Sequence, residues 1–161
     1  MRFEHSLQIS APPQELWEFL WQVEQVAACL PGCRGVRVIE PRRTYEAVLT
    51  DRVGPFHVQF PVTIQVDRAQ APTSIQATVR GKDTRIGSVL TSTLHLTLSP
   101  DANGTALVIA VETVLSGRLG ALGYSTIKRR ADDVVKQFAA NLERALATQA
   151  ERASAKGPEG R

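Results

Sequence analysis

Between Phe56 and Val66 every second residue is apolar: Phe56, Val58, Phe60, Val62, Ile64 and Val66 share one phase. His57, Gln59, Thr63 and Gln65 occupy the other. An alternation this long has period two, so it describes a strand with one greasy and one wet face and excludes an amphipathic helix. Such a strand is stable only if its apolar face is covered, and the identity of the cover decides the fold.

The same period recurs on both sides. Phe3, His5, Leu7 and Ile9 predict a first strand over residues 3–9. Val36 and Val38 predict a second, Tyr45, Ala47 and Leu49 a third, and the run above a fourth. Ile75, Ala77 and Val79 give a fifth; Leu90, Leu94, Leu96 and Leu98 a sixth; Leu107, Ile109 and Val111 a seventh. Turn residues separate them, as in Asp101-Ala102-Asn103-Gly104, so consecutive strands pair as antiparallel neighbours. Two short helical segments interrupt this order after the first strand. One opens at Pro12-Pro13 and continues through Glu15 to Leu20; the second covers residues 23–29 and stops at Leu30-Pro31-Gly32. After Gly117 the period changes to that of a helix, with Ile127, Ala131, Val134, Val135, Phe138, Leu142 and Leu146 on one stripe. That helix is expected over residues 121–148, and it is the only element with enough apolar surface to cover the sheet. The fold class is therefore α+β: a seven-stranded curved antiparallel sheet wrapped around a long C-terminal helix, with two short helices between strands 1 and 2. Residues 1–150 are expected to form one domain, and the polar segment 151–161 a disordered tail.

Composition excludes several functions. The 161 residues carry a formal charge of +3, but the longest basic run, Lys128-Arg129-Arg130, is followed at once by Asp132 and Asp133. Interleaved charge of this kind is a solvated face, and no nucleic-acid partner is expected. No stretch reaches the roughly 20 apolar residues that span a bilayer. The opening Arg2-Phe3-Glu4-His5 has no apolar signal core, so a cytoplasmic location is expected. The two cysteines, Cys29 and Cys33, are spaced for neither a redox pair nor a zinc site, and free thiols are expected. No metal and no cofactor are expected.

Several short motifs stand in a definite order: Trp17 in the first helix, Leu30-Pro31-Gly32-Cys33, Val53-Gly54-Pro55, the run Gly117-Arg118-Leu119-Gly120-Ala121-Leu122-Gly123, and Phe138 in the last helix. In these the chain resembles the carbon monoxide dehydrogenase G-subunit family, within the START-like, birch-pollen-allergen-like helix-grip superfamily, over about residues 1–147. The resemblance implies an accessory protein that helps a molybdenum-containing dehydrogenase or related hydroxylase to mature or to reach the membrane. It also implies an apolar, quinone- or lipid-like small molecule held between sheet and helix. Some relatives carry an apolar C-terminal segment that residues 151–161 do not match, so membrane contact is expected to be at most peripheral, at the inner membrane face. The oligomeric state is left open.

Candidate cavity and portal residues follow from phase. Tyr45, Phe56, Phe60, Leu94, Leu96 and Ile109 lie on the apolar faces of their strands, and Val135 and Phe138 on the helical stripe. Leu30, Pro31 and Gly32 form one candidate portal, and Leu119, Leu122 and Tyr124 an apolar lip at another. The glycine run at 117–123 lacks dinucleotide-binding spacing and follows an antiparallel strand, so its expected role is a sharp turn. Trp17, Phe19 and Trp21 are expected in the core. His57 and His95 fall in polar phases and face solvent, whereas His5 falls in the apolar phase, where a hydrogen-bonded core role is expected. No nucleophile–base pair or carboxylate pair stands out, so no catalytic residue is assigned. Two alternatives remain: a cyclase- or dehydratase-type enzyme of the same superfamily, for which inward phases supply only His5, Ser92 and Tyr45, and a ligand-free protein-interaction module.

Overall fold

The computed structural model describes residues 1–156. Its elements are β1 (Arg2–Ile9), α1 (Pro13–Leu20), α2 (Val23–Cys29), β2 (Cys33–Glu40), β3 (Thr44–Val53), β4 (Phe56–Gln70), β5 (Ser74–Asp83), β6 (Ser88–Asp101), β7 (Gly104–Ser116), the short α3 (Gly117–Gly120) and α4 (Tyr124–Lys156). The seven strands form one sheet in the order β1-β7-β6-β5-β4-β3-β2, with every neighbouring pair antiparallel. β2 to β7 form a meander, and β1 returns to pair with β7. The expected helix grip is present, with α1 and α2 between the first two strands.

Register follows the sequence phase almost throughout. On β4 the buried positions include Val58, Phe60 and Val62, while His57, Gln59 and Thr63 are exposed. β2 departs from it. Register shifts between Arg34 and Arg37 and between Val38 and Glu40 break its pairing with β3. Val36 therefore packs inward while Val38 is 47 % exposed, although the two share a phase.

The final helix also differs from its expected limits. It starts at Tyr124 rather than at residue 121 and runs to Lys156 instead of ending near 148. Gly123 at φ 87° turns the chain between α3 and α4, which delays the start. At the other end, Ala150 to Ala153 are good helix formers, and neither Gly nor Pro occurs before Gly157 to stop the helix. Residues 157–161, the end of the segment expected to be a tail, lie outside the described residues.

The core has two parts. One joins β1, α1 and the C-terminal end of α4 through Ile9, Leu16, Phe19, Leu107, Leu142 and Leu146. The other joins β3, β4 and α3 through Ala47, Val53, Val58, Phe60, Val62 and Leu119. α4 reaches both ends of the sheet but holds them differently. Its C-terminal half inserts Leu142 and Leu146, which are 0 % and 3 % exposed. Its N-terminal half leaves Ile127, Ala131, Val134, Val135 and Phe138 only half-buried and is fastened by polar pairs. Arg130 Nε lies 2.8–2.9 Å from both carboxylate oxygens of Asp51 on β3. Asp132 lies 2.8 Å from both His5 Nε2 on β1 and Lys128 Nζ.

Candidate functional site

A cavity of about 270 Å³ lies where the two parts of the core separate. Its floor is the sheet: Tyr45, Ala47 and Leu49 of β3, Val62, Ile64 and Val66 of β4, Ile75, Ala77 and Val79 of β5, and Leu94 and Leu96 of β6. Its opposite wall is Leu20 at the end of α1, then Trp21, then Val23, Val26 and Ala27 of α2, with Leu30 and the β2 residues Cys33 and Val36 completing the rim. Val23, Val26 and Ala27 stand at helical spacings of three and four, so one face of α2 supplies them together, and Leu30 follows at the end of the helix. α4 supplies no lining residue among those described. The cavity therefore sits between the sheet and α1–α2, whereas the sequence pointed to the sheet and the final helix.

Of the candidate residues, Leu30, Tyr45, Leu94 and Leu96 come together on this wall. Pro31 and Gly32 stand in the turn between Leu30 and Cys33, both of which line it. Phe60 and Leu119 are buried in the core beside α3, with Phe56 and Leu122 packed against them. Ile109 is buried in the core that receives Leu142, and Phe138 packs against the same core. Tyr124 is 47 % exposed and stacks on Phe3 with ring centroids 5.7 Å apart. Val135 lines a shallow surface groove beside His5 and Asp132.

The two glycine turns have a conformational reason to exist. Gly32 sits at φ 80°, and a Cβ there would stand 1.9 Å from the Thr50 carbonyl oxygen; its own carbonyl accepts a 2.8 Å bond from the Thr50 N–H. Gly117 sits at φ 77°, where a Cβ would stand 1.8 Å from the Gly87 carbonyl oxygen. Both turns need a residue without a side chain at a left-handed position pressed against backbone.

Polar groups near the cavity are few. The Arg42 N–H donates to Tyr45 Oη at 2.7 Å, and the Arg42 guanidinium lies over the Trp21 indole, 4.9 Å from its centroid. Trp21 Nε1 is buried without an acceptor among the described residues, and its ring meets Trp17 edge-on. Burial pushes the Cys33 thiol upward, which keeps it protonated and unreactive at neutral pH. Cys29 is shifted the same way, because desolvation outweighs the nearby Arg144 charge. Both cysteines are free.

Of the three inward-phase groups that an enzyme would need, Tyr45 lines the cavity, and His5 and Ser92 are used elsewhere. His5 points to α4 rather than into the cavity and is bonded there to Asp132. Ser92 Oγ lies 2.9 Å from Thr113 Oγ1 in a buried pair and is not part of the cavity wall. His57 and His95 are exposed. The lining residues include no histidine and no carboxylate, and the titratable side chains among them are the Tyr45 phenol and the Cys33 thiol. Among the described residues, no group of three His, Cys, Asp or Glu side chains is placed to hold a metal ion. Among them also, no helix is long and apolar enough to cross a membrane.

Trp21, Val23, Val26, Ala27 and the β4–β5 residues of the wall were not among the sequence candidates. The signal that could have found the helical ones is the apolar spacing 23, 26, 27, 30. On so short a helix it marks a face that must rest on something.

Comparison with known proteins places this geometry. Residues 6–147 match the family model for the carbon monoxide dehydrogenase G-subunit (CoxG). A conserved protein from Geobacillus kaustophilus superposes with a TM-score of 0.82 at 18% identity, over 92% of this chain and 96% of that one. Ara h 8.0201 gives 0.66 at 13% identity, over 92% and 98% of the two chains. The AHSA1 protein from Silicibacter pomeroyi gives 0.66 at 15% identity, over 92% and 99%. Likeness at these identities establishes the fold, the START-like, birch-pollen-allergen-like helix grip. No curated protein matches the chain in sequence.

Proposed function

We propose a role for this chain from one premise: it belongs to the CoxG family, that of the carbon monoxide dehydrogenase G-subunit. In this reading it is a non-enzymatic binding and accessory protein. It holds an apolar, quinone- or lipid-like molecule in the cavity and assists the maturation or membrane recruitment of a molybdenum-containing hydroxylase. It acts in the cytoplasm, with at most peripheral contact to the inner membrane face.

The observation that supports this is the cavity wall. It is almost entirely hydrocarbon, with side chains of β2 through β6 and of α1 and α2 facing one space of about 270 Å³. A concave hydrocarbon wall of this kind gains dispersion contacts from an apolar molecule that fits it. Binding would then be driven by removal of apolar surface from water, at about 25 cal/mol per Å². The lining residues carry no histidine and no carboxylate, the Tyr45 hydroxyl is engaged by the Arg42 N–H, and the Cys33 thiol is raised by burial, which disfavours the cyclase or dehydratase alternative.

Native mass spectrometry of the protein purified from its own host, followed by organic extraction, tests the reading. An apolar adduct is expected on the wild-type chain and not on a folded Val79→Phe variant, whose larger side chain occupies the cavity. A bare mass for the wild type, or an adduct indifferent to the substitution, would contradict it. Co-purification of a molybdenum-containing enzyme from the same host is the expected result for the partner.

A further inference from the structure

The apolar cavity has a polar neighbour. An outer pocket of about 360 Å³ shares Trp21, Val23 and Tyr45 with it and adds the polar side chains of Glu18, Gln22 and Arg42. The inner space falls just below the roughly 300–1,000 Å³ of common small-molecule sites, so a longer occupant projects beyond it, and the residues it shares with the outer pocket point to that side. Its inner part meets hydrocarbon, and its outer part meets a guanidinium.

Arg42 is built into that position. It is the one non-glycine residue with a positive φ, 60°, among the described residues, a conformation that costs a side chain-bearing residue and that persists where the surroundings hold it. Here the hold is the bond from its own N–H to Tyr45 Oη, a residue of the cavity wall. The guanidinium lies on Trp21, also in that wall. Its nearest carboxylate is Glu18 Oε2 at 3.9 Å, and both side chains are more than half exposed. A pair so long and so wet is weak and leaves most of the five guanidinium donors free.

We propose that the occupant is a single-chain amphiphile with a carboxylate head, its hydrocarbon tail in the inner cavity and its carboxylate on Arg42. The proposal rests on the reading of the cavity as a ligand site and narrows it. A carboxylate matches the planar fork of a guanidinium with two parallel hydrogen bonds. A neutral head would leave the placed charge unused.

Isothermal titration calorimetry with dodecanoate and dodecan-1-ol, both below their aggregation limits, separates head from tail. The wild-type protein is expected to bind the acid about ten- to a hundredfold tighter than the alcohol. Arg42→Gln should bring the acid down to the alcohol and leave the alcohol unchanged, while Arg42→Lys retains part of the preference. Across acids of eight to twelve carbons, each methylene should tighten binding about fourfold until the cavity is full. Equal wild-type affinity for acid and alcohol, or an equal loss of both in Arg42→Gln, would overturn the carboxylate head and leave the cavity reading standing. Failure of both probes to bind the wild type would overturn the cavity reading with it.

Discussion

The two halves of α4 are fastened to one sheet by different physics. The C-terminal half is held by burial: Leu142 and Leu146 are inserted among Ile9, Leu16, Phe19 and Leu107, and Asn141 Nδ2 adds a 2.9 Å bond to the Cys29 carbonyl. The N-terminal half is held at its margins by the Arg130–Asp51 and His5–Asp132 pairs, with half-buried side chains between them. Full burial of a leucine is worth more than a partly exposed ion pair. The first half is thus an anchor, and the second is a cover whose attachment is cheap to undo.

This contrast can be broken at its strongest point. Leu142→Ala should destabilise the protein by about 2–5 kcal/mol, measured by urea unfolding with the slope against denaturant unchanged. Phe138→Ala, at the boundary between the halves, should cost about 1–2 kcal/mol, because only part of its ring is withdrawn from water. Asp51→Asn should cost about 1–2 kcal/mol, less than Leu142→Ala, and its effect should be local. Hydrogen exchange is expected to quicken over residues 124–138 and to stay unchanged around Leu142. An equal cost for Leu142→Ala and Asp51→Asn would erase the distinction.

The gentlest test is acid. Hydrogen bonds from Lys128 and then His5 hold the Asp132 carboxyl below its usual range, against a smaller opposing desolvation. A group whose folded pKa is depressed adds stability above its unfolded pKa, about 3.9, and loses it as pH falls through the folded value. Below roughly pH 4 the N-terminal half of α4 should therefore loosen from β1 first, seen as amide shift changes confined to that half. Asp132→Asn should remove this step.

The same contrast explains what could be read from the sequence. Strand β4 and the stripe of α4 were legible because each repeats one period many times. The cavity was not, because periodicity reports which face is apolar and is silent on whether that face touches anything. Phe60 and Leu94 share the property of facing inward, yet Phe60 is packed against α3 and Leu94 lines open space. The α2 wall is written in only four spaced residues, too few to distinguish from core. His5 shows the reverse case, since its inward phase was visible but its partner lies 127 residues away. Val38 was misleading for a local reason, the bulges that turn β2.

The central claim is that the space between the sheet and α1–α2 holds an apolar molecule, and Cys33 on its wall reports on it directly. The measurement is the rate at which a small alkylating reagent modifies Cys33 in a Cys29→Ala background, at a pH high enough to ionise the raised thiol, with and without saturating dodecan-1-ol. Occupancy predicts that the alcohol slows the reaction at least several-fold. A rate unchanged by the alcohol, with its binding shown independently, would place the molecule elsewhere and contradict the account.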